Sequence, residues 1–193
     1  PVICHNYTID ETSNGIGAIS DMTLEQLRSY DFGSYFHDEF RGTKLPTLDE
    51  FLTLCATADI EIMNIELKTP LSGEKGIVKE TLAAVKEHGL FDKLLISSFS
   101  PELLVECKRL DPACKTGFLY SPDRKITYKK MLFGYVEFAK EIGAEYLHPH
   151  FSLVNKHYVK KLHDNGIGIN LSLIHFSEPT RRVVISYAVF CLK

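Results

Sequence analysis

The chain has 193 residues, 45% of them hydrophobic and 24% charged, with 12 Gly and 8 Pro. These are ordinary globular proportions and exclude a disordered, collagenous or disulfide-knotted chain. Lys plus Arg number 22 against 25 Asp plus Glu, a net charge of −3, so no basic stripe marks a nucleic-acid or membrane-surface binder.

Pro1 stands where no start methionine does, and Val2-Ile3-Cys4-His5 reads as the second half of a strand, so the chain is expected to be cut within a domain. Asn14-Gly15 follows as a hairpin-type dipeptide, since both residues accept positive φ cheaply. Gly15 and Gly17 are read as a plain turn rather than a phosphate loop, because no helix-forming run follows directly. Thr23-x-x-Gln26 has the form of a capping box ahead of a short helix. Residues 31–46 read as an irregular excursion, after which Thr47 caps a helix with Leu48, Phe51, Leu52 and Cys55 on one face.

A repeating pattern then begins. Strands are predicted at Ile60–Lys68, Lys93–Ser98, Thr116–Tyr120, Glu145–His150 and from Ile167 to Leu171. Helices are predicted at Lys75–His88, stopped by Gly89, at Pro101–Leu110, at Lys129–Ile142 and at Asn155–Asp164, closed by Gly166. Alternation of this kind means βαβ crossovers and a parallel sheet. Five strands would fit a flavodoxin-like sheet. Polar residues nevertheless end four separate strands: His5, then Glu66 and Lys68, then Ser97 and Ser98, then His148 and His150. That distribution favours a (β/α)8 barrel, which places its chemistry at the carboxyl ends of many strands.

Among these residues, Glu66 and Lys68 lie two apart and share one strand face with Asn64, leaving Ile65 and Leu67 to pack against helices. A carboxylate and an ammonium there suit a hard divalent cation beside an anionic substrate, or else an internal ion pair. A histidine's reference pKa of about 6.5 suits acid–base work without a large shift, so His5 is a candidate acid or base, or else a satisfied surface or core histidine. His148 and His150 share a side as well: they line an anion-binding site, pack, or form a zinc pair. His157, His163 and the run Arg124, Lys125, Lys129, Lys130 read as solvated faces. The five cysteines, Cys4, Cys55, Cys107, Cys114 and Cys191, include no C-x-x-C and read as thiols of a reducing compartment, hence a cytoplasmic location. No apolar run approaches the about 18 residues of a membrane span.

The runs PVICHN (1–6), TSNGIG (12–17), LEQL (24–27), PTL (46–48), NIELK (64–68), ISSFSPELL (96–104) and HDNGI (163–167) resemble the glycerophosphodiester phosphodiesterase family in a single register over about residues 1–170. The resemblance implies a barrel hydrolase that splits a small-molecule glycerophosphodiester, such as glycerophosphocholine, into glycerol 3-phosphate and an alcohol with Mg²⁺ or Ca²⁺. It implies that His5 is a general acid/base, that Glu66 binds the metal and that Lys68 approaches substrate phosphate. The motif following the family histidine is usually His-Asp, whereas Asn6 stands here.

The same resemblance implies that a His-Arg-Gly, a Pro-Glu-Asn and a Glu-x-Asp precede Pro1. The fold expectation is therefore an incomplete (β/α)8 barrel over residues 1–170, lacking N-terminal strands and the last strand, with an excursion at 10–46, and inactive as it stands. Residues 171–193, LSLIHFSEPTRRVVISYAVFCLK, resemble translated read-through of a sequencing-library adapter. They form an expected non-native tail, in which His175, Glu178, Arg181, Arg182 and Cys191 carry no function and Val183–Ile185 and Tyr187–Phe190 have strand propensity. Two alternatives remain: a zinc amidohydrolase-like barrel built on His148 and His150, and a non-catalytic phosphodiester-binding relative.

Overall fold

A computed structural model of the chain describes residues 1–68, 76–121 and 134–171, together with the backbone of residues 184–190. The charge run at Arg124, Lys125, Lys129 and Lys130 and the tail residues His175, Glu178, Arg181, Arg182 and Cys191 lie outside the described residues. The chain divides into two compact units, Pro1–Asp59 with Leu67–Asp92 and Tyr187–Lys193, and Ile60–Glu66 with Lys93–Ser186.

The first unit opens with the two-residue strand β1 (Val2–Ile3). A loop follows in which Thr8 and Ala18 bridge antiparallel. The sequence reading places positive φ at Asn14-Gly15, but among the described residues none other than glycine has positive φ, and in this loop the strain falls on Gly17 at φ 132°. Gly15 is glycine for a different reason. A Cβ there would lie 2.5 Å from the Tyr30 ring and 2.7 Å from Ile9. Asn14 meanwhile uses its side chain as a brace, its Oδ1 accepting from the Asp31 amide at 2.8 Å.

Helix α1 (Leu24–Ser29) begins with the expected capping box between Thr23 and Gln26. The excursion after it is held by side chains, with the Asp31 carboxylate accepting from the Gly33 and Ser34 amides. The Ser34 hydroxyl, first, and the Gly33 amide hold that carboxyl below the usual carboxylate range. Helix α2 (Leu48–Thr57) buries Leu48, Phe51, Leu52 and Cys55, the predicted face. Val2, Cys4, Ile9, Ile19, Leu27 and Leu45 form the core of this unit. Helix α3 (Ile77–Glu87) packs on α2 and ends where Gly89 turns at φ 68°.

The second unit is a five-stranded parallel sheet. Its strands are β2 (Ile62–Leu67, through Glu66), β3 (Leu94–Ser98), β4 (Lys115–Tyr120), β5 (Tyr146–Pro149) and β6 (Gly168–Ile169). Each pairs with the next in sequence, from Met63↔Leu94 through Tyr146↔Gly168. This unbroken sequential order is that of a (β/α)8 barrel; a doubly wound sheet would reverse at a switch point. The connections carry α4 (Pro101–Leu110), α5 (helical over residues 134–141) and α6 (Lys156–His163). Ser100, with its Oγ accepting from the Leu103 amide, and Asn155, accepting from the Tyr158 amide, cap α4 and α6. Burial of β3 is complete along its length, as a parallel strand covered on both faces requires. His157 and His163 are exposed, as expected.

One strand departs from the parallel expectation. β7 (Val184–Phe190) places Phe190 and Val189 opposite Val2 and Ile3 in antiparallel register. An unpaired strand edge accepts a ladder in either direction, and this segment is rich in strand-forming residues. No helix among the described residues is long and apolar enough to cross a membrane.

The start of α2 carries a further restraint. The Thr47 amide donates to Glu50 Oε2 at 2.9 Å, the Glu50 amide donates to Thr47 Oγ1, and Arg28 of α1 pairs with the same Glu50 carboxylate. Thr47→Ala removes one arm of the capping box and is expected to lower unfolding free energy by about 1 kcal/mol, read as a lower urea midpoint with an unchanged slope.

Candidate active site

His5 follows β1 and is exposed, the main-chain turn at Cys4–Asn6 presenting its ring to solvent. The buried Cys4 sulfur receives hydrogen bonds from the Asn6 and His5 amides, which ties down the chain beneath His5. Burial pushes the Cys4 thiol up, and the Lys68 ammonium acts against that rise. Lys68 is thus close enough to Cys4 to bias its charge, and within this unit a cation flanks the segment that carries the histidine. His5 Nδ1 lies 2.8 Å from Asn6 Oδ1, and Asn6 Nδ2 donates to Glu11 Oε2 at 2.7 Å.

On β2 the predicted alternation shows only at the strand's end, since Asn64, expected on the face of Glu66, is buried as well. Met63, Ile65 and Leu67 are buried, while Glu66 and the following Lys68 are half-buried. Glu66 is level with Ser97 of β3. Ser97 and Ser98 are both fully buried at that strand's carboxyl end, and Ser97 Oγ has no hydrogen-bond partner.

His148 and His150 meet different environments. His148 is 5% exposed, and the Asn170 side-chain amide sits 3.2 Å from its Nε2. An NH2 group only donates, so Nε2 accepts. The imidazole lies over Gly117, where a Cβ would come within 2.3 Å of Nε2, so only glycine leaves the ring its place. Burial lowers its pKa to about 4, and His148 is neutral at physiological pH. His150 is half-buried, its ring tilted against Phe151, and its Nδ1 accepts from the Ser152 amide at 3.3 Å with Ser152 Oγ 2.8 Å away.

Among the described residues no three His, Cys, Asp or Glu side chains converge as a ready-made metal cage, so the zinc arrangement on His148 and His150 gains no third ligand there. A Mg²⁺-type site asks less of the protein, since it is held by one or two carboxylates with water and substrate phosphate completing the shell. Glu66 is the carboxylate at a strand end that this chemistry would use.

Sequence reasoning missed Asn170 and Glu11. Asn170 follows the last residue of β6 and was open to the strand-end rule used for the other sites. Glu11 carries no local signal, because its relation to Asn6 arises from the loop's path.

Comparison with known proteins places these features in context. Residues 1–171 match the model of the glycerophosphoryl diester phosphodiesterase family. A glycerophosphodiester phosphodiesterase of Caldanaerobacter subterraneus subsp. tengcongensis is 30% identical over 186 residues, covering 95% of this chain and 72% of that protein. A solved phosphodiesterase of Oleispira antarctica, in complex with the product sn-glycerol-3-phosphate, is 27% identical with a TM-score of 0.71, over 91% of this chain and 68% of that one. A solved structure from Silicibacter pomeroyi reaches a TM-score of 0.78 at 22% identity, over 90% and 68% of the two chains, a likeness of fold.

The buried neutral His148 has a stability consequence. Its folded pKa of about 4 lies below the ordinary value near 6.5, so the unfolded chain binds the extra proton first as pH falls. Its contribution is present above about pH 6.5 and is lost progressively toward about pH 4. Between about pH 7 and about pH 5 the loss should reach roughly 2 kcal/mol. Urea titrations should show this loss for the parent and not for His148→Gln; equal pH dependence in both would contradict the assignment.

Proposed function

The chain belongs to the glycerophosphoryl diester phosphodiesterase family, and on that footing we propose that it hydrolyses a small glycerophosphodiester to glycerol 3-phosphate and a free alcohol, with His5 exchanging the proton. The observation that carries this reading is the placing of His5 at a strand end on the segment biased by the Lys68 ammonium. A phosphodiester brings a negative charge that needs a cationic partner, and its cleavage needs a proton removed from the attacking oxygen and one delivered to the departing oxygen.

In this reading Lys68 sets the phosphate in place as a point charge. His5 works on one of the two proton transfers: it takes the proton from the hydroxyl that attacks phosphorus or gives one to the alcohol that leaves. In balance, the P–O bond to the alcohol breaks and water supplies the hydroxyl and the proton of the products. Glu66 is proposed as a ligand to a divalent cation, Mg²⁺ or Ca²⁺, which when bound supplies neutralisation of the phosphate charge. His148 is neutral, so its proposed contribution to substrate binding is a hydrogen bond and not a charge, and His150 is proposed to bind substrate beside it. Nothing in the arrangement favours the zinc hydrolase alternative over the family reading. Asn6, the departure that favoured a non-catalytic relative, is engaged with His5 rather than withdrawn from it. Cys4, Cys55, Cys107 and Cys114 are buried free thiols, which fits the proposed cytoplasmic setting.

Two substitutions in the full-length protein test the reading. His5→Ala is expected to lower kcat on glycerophosphocholine by roughly 10²–10⁴-fold; a rise in KM with kcat intact would make His5 a binding residue instead. Glu66→Gln keeps the shape and removes the charge, so the activation curve for Mg²⁺ or Ca²⁺ should move to much higher metal concentration with a large loss of activity. An unmoved curve would remove Glu66 from the metal site.

A further inference from the structure

We propose that Glu11 acts as a positioning residue that determines, through Asn6, which nitrogen of His5 exchanges the proton. The proposal rests on the acid/base reading of His5 and adds to it the device that selects the tautomer.

The reasoning follows the donors and acceptors along the chain His5–Asn6–Glu11. A side-chain amide has two similar ends, and its partners decide which way it points. Glu11 Oε2 stands 2.7 Å from one end of the Asn6 amide. An ionised carboxylate only accepts, so the end facing Glu11 must be the NH2 group. The other end, 2.8 Å from His5 Nδ1, is therefore the carbonyl oxygen. That oxygen only accepts, so Nδ1 must carry a hydrogen. The lone pair of neutral His5 then lies on Nε2. In the imidazolium both nitrogens carry hydrogen, and Nδ1–H keeps its bond to Asn6, so the proton that comes and goes is the one on Nε2.

The loop gives Glu11 a fixed position from which to act. Ile9 beside it is fully buried, its amide donates to the Gly17 carbonyl at 3.0 Å, and its own carbonyl accepts from the Thr12 amide and from Ser13 Oγ. Asp10 Oδ1 receives the Gly17 amide at 2.7 Å on the other side. An aspartate at position 6 would need no such help, because both ends of a carboxylate accept. The asparagine can present either end, and a third residue must set its direction.

The test reverses that direction. A lysine ammonium only donates, so Glu11→Lys should turn the Asn6 amide round, present its NH2 group to His5 Nδ1, and drive the ring to the Nε2–H tautomer. The reading is by ¹³C and ¹⁵N chemical shifts of the His5 ring in histidine-labelled full-length protein, with the resonance identified by its absence from His5→Gln. The parent should show Nδ1–H, and Glu11→Gln, whose amide can present either end to Asn6, a mixture of the two tautomers. Glu11→Lys should show mainly Nε2–H, with kcat/KM down by about tenfold, the value of one such hydrogen bond. The double variant Asn6→Asp with Glu11→Lys should regain both the Nδ1–H tautomer and the activity, because the carboxylate accepts from both neighbours; a merely structural loss at position 11 would not be rescued in this way. An Nε2–H tautomer in the parent, or an unchanged tautomer in a folded Glu11→Lys, would overturn the proposal. If the tautomer follows these substitutions while His5→Ala retains full kcat, the tautomer assignment stands and the acid/base reading of His5 fails.

Discussion

A parallel strand covered on both faces admits few polar groups along its length, Asn64 and Thr116 being buried examples here, and many polar residues of the second unit's strands stand at their carboxyl ends. Along β2, Met63 and Ile65 are fully buried before Glu66 emerges, and β3 is buried throughout its length. The register carries the restriction sideways: Glu66 is level with Ser97, Ser98 with Phe118, and Leu119 with His148. Because every strand in this unit's sheet runs the same way and pairs with its neighbour in sequence, the polar residues at the strand ends accumulate along one margin of the sheet. No pairwise attraction between them is required to bring them there.

Burial then gives chemically identical side chains different behaviour. His5 is exposed to solvent, whereas His148 is enclosed over Gly117 and kept neutral by desolvation. The difference comes from the cost of placing an unpaired charge in a low-dielectric surrounding, which for His148 exceeds the free energy of binding a proton at physiological pH. Lys108 shows the opposite solution within the same unit. Its ammonium is mostly enclosed yet pairs with Glu145 and donates to the Cys114 carbonyl at 2.6 Å. These two enclosed groups are thus one neutral and one matched.

The loops of the first unit rely on a different economy. Beyond a short antiparallel bridge they have little ladder to satisfy their amides, so side chains contribute: Asn14 braces the Asp31 amide, Asp31 gathers the Gly33 and Ser34 amides, and Asn6 links His5 to Glu11. This is the usual behaviour of Asn, Asp and Ser outside regular structure, where short polar side chains reach nearby backbone. Here it has a functional result, since the same hydrogen-bonding habit orders the surroundings of the residue on which the proposed reaction depends.

The sequence by itself determined the elements and the identity of most strand-end residues. The capping boxes at Thr23 and Thr47, the buried face of α2, the stops at Gly89 and Gly166, and the alternation that exposes Glu66 and Lys68 between Ile65 and Leu67 all arise from interactions reaching no further than four residues, and such interactions are written in local spacing. Tertiary structure alone decided the rest. It placed the positive φ at Gly17 and made Gly15 a site of close contact with Tyr30, it turned β1 to an antiparallel partner in β7, it enclosed His148 beside Asn170, and it brought Glu11 against Asn6. These outcomes depend on which residues the folded backbone brings together from distant or irregular parts of the chain. No local pattern carries that information, because it exists only once sheet register and loop path are fixed.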